Sequence, residues 1–163
     1  GQDYRDAHVS NKINHFGFAD WMASYGHAYK TLIAGGLDAI LANIDEIDSN
    51  ENATAKDEDL LTTMEVVYEF YLRGFEFAPI SIYESHATKF LIKDGKILPP
   101  FVAISGLGES AAWDLMEGRK GKTFLSIEEV SLACPKVSKT HMQMLKEAGA
   151  FGDLPDTSQV SLF

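Results

Sequence analysis

The sequence predicts an α+β fold that is mostly α-helical, and three observations carry this prediction. Apolar residues recur at three- and four-residue intervals over two long stretches, the spacing of one helix face. Asp94-Gly95 separates two short apolar runs, as in a two-residue β-hairpin. Gly106-Leu107-Gly108 lies between an apolar approach and a further helical pattern, the layout of a helix-hairpin-helix element. With 45% hydrophobic residues among 163, the chain can bury a core.

The first two predicted units are residues 1–44 and residues 45–59. The former is aromatic-rich and becomes helical towards its end. One face of that helix carries Leu37, Ile40, Leu41, Ile44 and Ile47. The latter, "DEIDSNENATAKDED", holds seven acids and one lysine, a composition typical of a solvated linker or disordered loop.

Residues 60–152 are predicted to form the main α+β unit. A helix opens it and is expected to end at Gly74. Its inward face is expected to carry Leu60, Met64, Val67, Tyr68, Tyr71 and Leu72. The β-hairpin follows, and Pro99-Pro100 ends its second strand because proline cannot donate to a ladder.

Two later helices carry capping signals. In "SIEE", Ser126 and Glu129 can each bond the other's backbone amide as a capping box. Ser138 is predicted to cap the last helix and Gly149 to end it. The expected inward residues of that helix are Met142 and Leu145. Residues 153–163 are then predicted to form a flexible tail.

The glycines at 106 and 108 mark the candidate binding site. Glycine permits a backbone geometry closed to other residues and lets the chain approach a ligand closely. Amides freed at a helix start suit a phosphate oxygen, and such contacts hold DNA by its backbone without reading its sequence. The alternative is a purely structural tight turn. The candidate DNA-binding residues are Ser105, Gly106, Leu107, Gly108, Ser110, Arg119, Lys120 and Lys122.

The formal charge of −10 does not exclude a phosphate site, because the charge is unevenly placed. Residues 1–60 carry four Lys/Arg against eleven acids, whereas residues 86–147 carry nine against seven. The basic stretch "GRKGK" at 118–122 lies at the centre of the second region. The region that holds the glycine hairpin is therefore slightly basic.

Other classes of site find little support in the sequence. A single cysteine, Cys134, excludes an internal disulfide and a cysteine-rich zinc site, and His8, His15 and His27 match no zinc spacing. No apolar run approaches the roughly 18 residues of a membrane span, and the N-terminus lacks a signal-peptide layout. We therefore expect a cytoplasmic protein without a membrane partner, metal or cofactor.

Five stretches after residue 60 occur together and in one order. They are "LLTTMEVVYEFYLRGFEF", "PISIYESHATKFLI", "LPPFVAISGLGESAA", "FLSIEEV" with "KVSKTHMQMLKEAGAF", and "LPDTSQVSLF". In this order they resemble the C-terminal region of the PolC-type DNA polymerase III alpha subunit, a C-family polymerase. The first sixty residues resemble only distantly the end of that family's fingers region.

The resemblance implies a role for the two apolar residues that end the chain. It implies a sliding-clamp-binding motif made of Gln159, Val160, Ser161, Leu162 and Phe163, with valine where the family's usual motif has leucine. The last two side chains would fill an apolar cleft on the clamp, and the glutamine would bond its rim. The alternative is that the final phenylalanine packs back on the domain.

The resemblance also implies that the glycine hairpin grips duplex DNA, with Ser105 to Ser110 facing phosphates. Nothing in the chain resembles the palm that holds the family's catalytic carboxylates, so we expect no catalysis from this chain alone. One hypothesis is a non-catalytic module of a bacterial replicative polymerase that contacts duplex DNA, the clamp and the remainder of the polymerase. The other is a self-contained small protein, encoded by a phage or mobile element, that competes for or recruits the clamp. The divergent, acidic first sixty residues favour the second.

Overall fold

The computed structural model of the chain describes residues 2–15, 19, 23 and 36–157. Its helices are α1 (Gln2–His15), α2 (Gly36–Asp48), α3 (Ala55–Leu72), α4 (Glu109–Gly118), α5 (Ile127–Ala133) and α6 (Lys139–Glu147). Its strands are β1 (Glu76–Phe77), β2 (Leu91–Lys93) and β3 (Lys96–Leu98), and a 3-10 turn spans Phe101–Ala103. The predicted α+β, mostly α-helical class is confirmed. None of the described helices is long and apolar enough to cross a membrane.

Helix α1 is fixed to the rest of the fold by polar contacts at its C-terminal half. The side-chain amide of Asn14 bonds both backbone groups of Phe90, accepting from its N–H at 2.8 Å and donating to its carbonyl at 3.0 Å. Lys12 donates to Glu69 on α3 at 2.6 Å, and this bond lowers the pKa of the Glu69 carboxyl. Val9 and Ile13 are buried between these contacts, so the described part of the N-terminal segment belongs to the common core.

The acidic stretch 45–59 is more ordered than its composition predicts. Helix α2 continues to Asp48 and α3 begins at Ala55, which leaves only residues 49–54 as the connection. The cause is a reciprocal cap: Asp57 N–H donates to Thr54 Oγ1 at 3.2 Å, and Thr54 N–H donates to Asp57 Oδ2 at 2.9 Å. The carboxylates there also complement the positive end of the helix dipole.

Helix α3 buries a slightly different face from the predicted one. Met64 and Val67 are buried as expected, but Leu72 is 64% exposed and the fully buried side chain near the helix end is Phe70. Phe70 follows Val67 by three residues and therefore stays on the inward face. As predicted, the helix ends at Gly74, whose φ of +89° lets Phe75 N–H bond the Phe70 carbonyl at 3.0 Å.

The sheet is small and has the order β1-β3-β2. Strands β2 and β3 form the predicted hairpin, with Ile92 opposite Ile97 and positive φ at Asp94 (+53°) and Gly95 (+76°). Strand β1 lies parallel to β3 and pairs Phe77 with Ile97. The largest fully buried side chains are Phe70, Phe75, Phe90, Phe101, Ile13, Ile40, Ile80, Ile82 and Ile97.

His86 organises the turn between β1 and β2. Its Nδ1 accepts hydrogen bonds from the N–H groups of Thr88 at 3.1 Å and Lys89 at 3.2 Å, so this nitrogen carries no proton. Its ring packs edge-on against Trp113 of α4 at 5.2 Å between centroids. Burial lowers the pKa of His86, and the positive charges of Lys89 and Arg119 lower it further.

We expect the stability of the chain to fall as the pH drops below about 6.5, the usual pKa of histidine. Because the pKa of His86 is lower in the folded chain, the unfolded chain binds more protons between the two values. The free energy of unfolding therefore rises with pH in this window and levels off below the folded-state pKa. Urea unfolding at pH 5 to 8 measures it. His86→Asn keeps an acceptor for both amides without titrating, so its pH dependence should be flatter; equal slopes would contradict the assignment.

The helix caps near the C-terminus match the predictions, with one shift. Ser126 Oγ accepts from Glu129 N–H at 3.2 Å, and Ser138 Oγ accepts from His141 N–H at 3.2 Å. The Glu129 carboxylate, however, accepts from Leu125 N–H at 2.6 Å rather than from Ser126 N–H. The predicted capping box is therefore half formed, and its carboxylate reaches one residue further back.

The beginning of the predicted tail is held against α5 and α6. The carbonyls of Pro155 and Asp156 accept from the N–H groups of Ile127 at 2.9 Å and Glu128 at 3.0 Å. The Asp156 carboxylate also pairs with Lys146 at 2.7 Å. These bonds occupy the free amides at the start of α5. Residues 153–156 are therefore attached to the domain rather than forming part of a flexible spacer.

Candidate nucleic-acid interface

The predicted glycine hairpin joins the 3-10 turn to α4. Leu107 is 5% exposed, and its N–H closes the turn on the Ile104 carbonyl at 3.1 Å. Gly106 has a φ of +77°, a conformation that favours glycine. Gly108 is the N-cap of α4 with an ordinary φ of −72°, and a β-carbon there would meet nothing within 4 Å. The hairpin therefore buries its leucine and turns its glycine backbone outward.

A second hairpin with the same plan joins α5 to α6, thirty residues further along the chain. Val137 N–H closes it on the Cys134 carbonyl at 3.1 Å, as Leu107 closes the first. Val137 is also 5% exposed. Ser138 is the N-cap, with φ −69° and ψ 162° against −72° and 163° at Gly108. The two turns therefore share a closing hydrogen bond, a buried apolar residue and the backbone angles of the N-cap. They differ one residue before the buried one, where Gly106 has positive φ and Lys136 does not.

The two hairpins lie against each other. A β-carbon on Gly106 would come within 3.3 Å of His141 Nε2, in the first turn of α6. The Lys136 N–H of the second hairpin donates to Asp114 Oδ2 of α4 at 2.9 Å. Behind them, the end of α4 touches the end of α5, where a β-carbon on Gly118 would lie 2.7 Å from Cys134 Sγ. The two hairpins thus form one surface, which is supported by the close packing of α4 against α5.

The two hairpins differ in their side chains and in the caps of their helices. Around the second, Lys136, Lys139 and Thr140 are exposed together with the capping serine. Around the first, the exposed residues are Gly106, Gly108, Glu109 and Ser110. Since Gly108 has no side chain, it makes no side-chain cap to the first-turn amides of α4. The first hairpin therefore offers backbone donors and the second offers cations.

The structure separates the predicted site residues into three groups: the hairpin residues, the two lysines beyond α4, and Arg119. Ser105 is half-buried in the first hairpin, next to the glycines, and Ser110 is exposed in the first turn of α4. Lys120 and Lys122 are exposed beyond the other end of α4, about 15 Å away along a ten-residue helix. Lys120 there pairs with Glu117 at 2.7 Å.

Arg119 has a set of internal contacts. Its Nη1 donates to the carbonyls of Ile82 at 3.1 Å and Ser85 at 2.5 Å. Its guanidinium also lies 5.8 Å from the centre of the Phe101 ring. These contacts connect the end of α4 to the segment between β1 and β2, which gives the side chain a structural role.

Sequence reasoning missed Lys136, Lys139 and His141. The signal was present in the spacing: a buried apolar residue followed by a cap residue recurs at 107–108 and at 137–138. Without the second glycine pair, this recurrence reads as an ordinary capped helix.

Outside the hairpins, the remaining candidates for a site are the C-terminal motif, the single cysteine and clusters of metal-ligating residues. The clamp-motif residues Gln159 to Phe163 lie outside the described residues. Burial raises the pKa of the Cys134 thiol to about 11, so the thiol stays protonated at neutral pH. Within the described ranges, no group of three or more His, Cys, Asp or Glu residues is placed to hold a metal ion.

Comparison with known proteins gives two findings. Residues 74–160 match the family described as helix-hairpin-helix motif. The chain is also similar to proteins named DNA polymerase III PolC-type: 43% identical over 132 residues in Bacillus cereus and 41% over 133 in Caldanaerobacter subterraneus subsp. tengcongensis. A relative from Streptococcus agalactiae is 40% identical over 134 residues.

These alignments cover 80 to 81% of this chain but only 9% of each relative's length. Each aligned stretch is longer than residues 60–163. The similarity therefore extends into the segment before Leu60, further than the sequence resemblance alone predicted.

Proposed function

The chain belongs to the helix-hairpin-helix motif family, and we propose that it is a non-catalytic module of DNA replication that holds duplex DNA by its backbone. The observation that carries the proposal is the pair of neighbouring hairpins at residues 104–110 and 134–140, which share a buried apolar residue followed by an exposed N-cap. Two such turns side by side can contact neighbouring phosphates along a strand. Contacts of this kind position DNA without reading its sequence.

The two hairpins offer different groups to a phosphate, and both kinds of group support this role. The uncapped first turn of α4 offers N–H donors at the positive end of a helix dipole, where a phosphate oxygen is favoured. Lys136 and Lys139 place two positive charges at the neighbouring hairpin. The lysines attract the phosphate backbone and the N–H groups orient it, although the net charge of the chain is negative.

A second part of the proposal concerns the C-terminal residues. We propose that Gln159 to Phe163 dock on a sliding clamp, with Leu162 and Phe163 as the apolar anchors. A five-residue peptide loses ordering entropy on binding and is weak alone, so its effect depends on the DNA contact made by the same chain.

The comparisons favour a polymerase module over a self-contained clamp-binding protein. The similarity to PolC-type polymerases is not confined to the C-terminal two thirds, so the divergent first sixty residues are a weaker argument for independence than the sequence indicated. The partners of this proposal are duplex DNA, the clamp and the remainder of such a polymerase.

Removing the two lysines of the second hairpin is expected to weaken duplex binding about tenfold at low salt. Lys136→Ala with Lys139→Ala removes two phosphate contacts, so the slope of log affinity against log salt should become less steep by about two. The measurement is fluorescence anisotropy with short labelled duplexes of two unrelated sequences over a range of salt concentrations. The loss should be equal for both sequences, because no base is read.

The matched control is Lys93→Ala with Lys96→Ala, which removes the same charge from exposed positions on the β-hairpin. This control should retain most of the affinity and the wild-type salt slope. Equal losses in both double variants would reduce the effect to net charge and contradict the assigned surface. A wild-type chain that does not bind either duplex would overturn the proposed function.

A further inference from the structure

The imidazole of His141 lies at the junction of the two hairpins. Its Nδ1 is 3.0 Å from Ser138 Oγ in the second hairpin. Its Nε2 faces the first hairpin, where it lies 3.3 Å from the position that a β-carbon on Gly106 would take. Since Gly106 has no side chain, the ring can lie this close to the first hairpin. His141 itself is half-buried.

A hydrogen bond donated by the capping serine to the ring would set the tautomer of the neutral imidazole. Ser138 Oγ accepts from the His141 N–H at 3.2 Å, which leaves its hydroxyl proton free to donate to Nδ1. In this arrangement Nδ1 is an acceptor, so the ring proton of a neutral imidazole is on Nε2. When the ring is charged both nitrogens carry protons, so in either state Nε2–H is directed towards the first hairpin.

We infer that His141 Nε2 donates a hydrogen bond to a phosphate oxygen of duplex DNA held between the two hairpins. The inference rests on the proposed function and deepens it, because it names a phosphate ligand shared by the two turns. Among the described residues His141 forms no ion pair with a carboxylate. The charged residues nearest in sequence are Lys139, Lys136 and Lys146, all basic, and the first hairpin opposite is followed by Glu109 at the start of α4. A phosphate oxygen at this position would accept the hydrogen bond from His141 Nε2–H.

Two substitutions at this position separate a phosphate donor from a packing residue. His141→Leu keeps apolar bulk but removes the donor, whereas His141→Gln retains an N–H donor of similar reach. We expect His141→Leu to bind the same labelled duplexes about tenfold more weakly, the amount a hydrogen bond to a charged group supplies. His141→Gln should stay within about threefold of wild type for the same reason. Thermal unfolding of both variants shows whether they fold.

A direct readout covers the case in which His141→Leu does not fold. In proton–nitrogen correlation spectra of the wild-type imidazoles, the Nε2–H signal of His141 should shift on addition of duplex, and its Nδ1 should show the shift of an unprotonated nitrogen. An unmoved signal, or a proton on Nδ1 of the neutral ring, overturns the inference. The inference is also wrong if a folded His141→Leu binds duplex as tightly as wild type. It is wrong as well if His141→Gln loses as much affinity as His141→Leu.

The two proposals fail in distinguishable ways. If wild type binds and the lysine variants weaken it while His141→Leu does not, only this inference falls. If wild type does not bind duplex, both fall.

Discussion

Replacing both Leu162 and Phe163 with alanine is expected to weaken binding to a sliding clamp by a hundredfold or more. Large apolar anchors that enter a cleft carry most of the energy of a peptide contact, often 2 kcal/mol or more for each side chain. The other three residues of the motif cannot replace them, because only Val160 among them is apolar and its side chain is smaller than either anchor. Isothermal titration of the intact chain against a purified bacterial clamp gives both affinities.

The control for this variant is Leu125→Ala with Leu132→Ala. These leucines are 67% and 78% exposed, so the control removes a comparable amount of exposed apolar surface elsewhere. It should bind the clamp as wild type does. If clamp binding persists without the two anchors, the docking proposal is wrong. A lower melting temperature of the tail variant would instead support packing of the last phenylalanine on the domain.

Gly118→Ala is expected to destabilise the fold by about 2–3 kcal/mol. The added β-carbon would lie 2.7 Å from Cys134 Sγ and 2.8 Å from the Ala133 carbonyl oxygen. One of these atoms belongs to the backbone and the other to a short buried side chain, so neither can move away cheaply. For a chain of this size the midpoint of thermal unfolding should fall by roughly 5–10 °C. Calorimetry or urea unfolding measures the change.

Gly108→Ala is the matched substitution in the same region. It adds the same β-carbon at the other flank of α4, where φ is ordinary and nothing lies within 4 Å. Its stability should fall by no more than about 1 kcal/mol, because only the preference of the N-cap for glycine over alanine is lost. If the two variants were equally stable, the close contact between α4 and α5 would be wrong.

Local signals in the sequence predicted the local parts of the fold. Asp94-Gly95 specifies its turn because both residues adopt positive φ readily, and the observed angles are +53° and +76°. Ser138 specifies the start of α6 because its hydroxyl satisfies an amide three residues ahead. Each of these features depends on a few neighbouring residues and on no distant partner.

Features that depend on distant partners were missed. The pairing of β1 with β3 joins strands of two and three residues across about twenty positions of the chain, too short to show an alternating pattern. The exposure of Leu72 depends on how α3 packs against the rest of the fold, because the buried side chain near the end of the helix is Phe70. The contact between His141 and the first hairpin joins residues 35 positions apart in the sequence, so no local pattern could predict it.

The attachment of Asp156 to α6 fixes the point on the domain from which the C-terminal motif extends. Asp156 is held by Lys146 near the last turn of α6, whereas the second hairpin lies at the first turn of that helix. Nine helical residues place these ends about 13 Å apart. The seven residues after Asp156 can extend at most about 25 Å. A clamp bound to this tether would be confined close to any DNA on the hairpins, at an effective concentration of the order of millimolar.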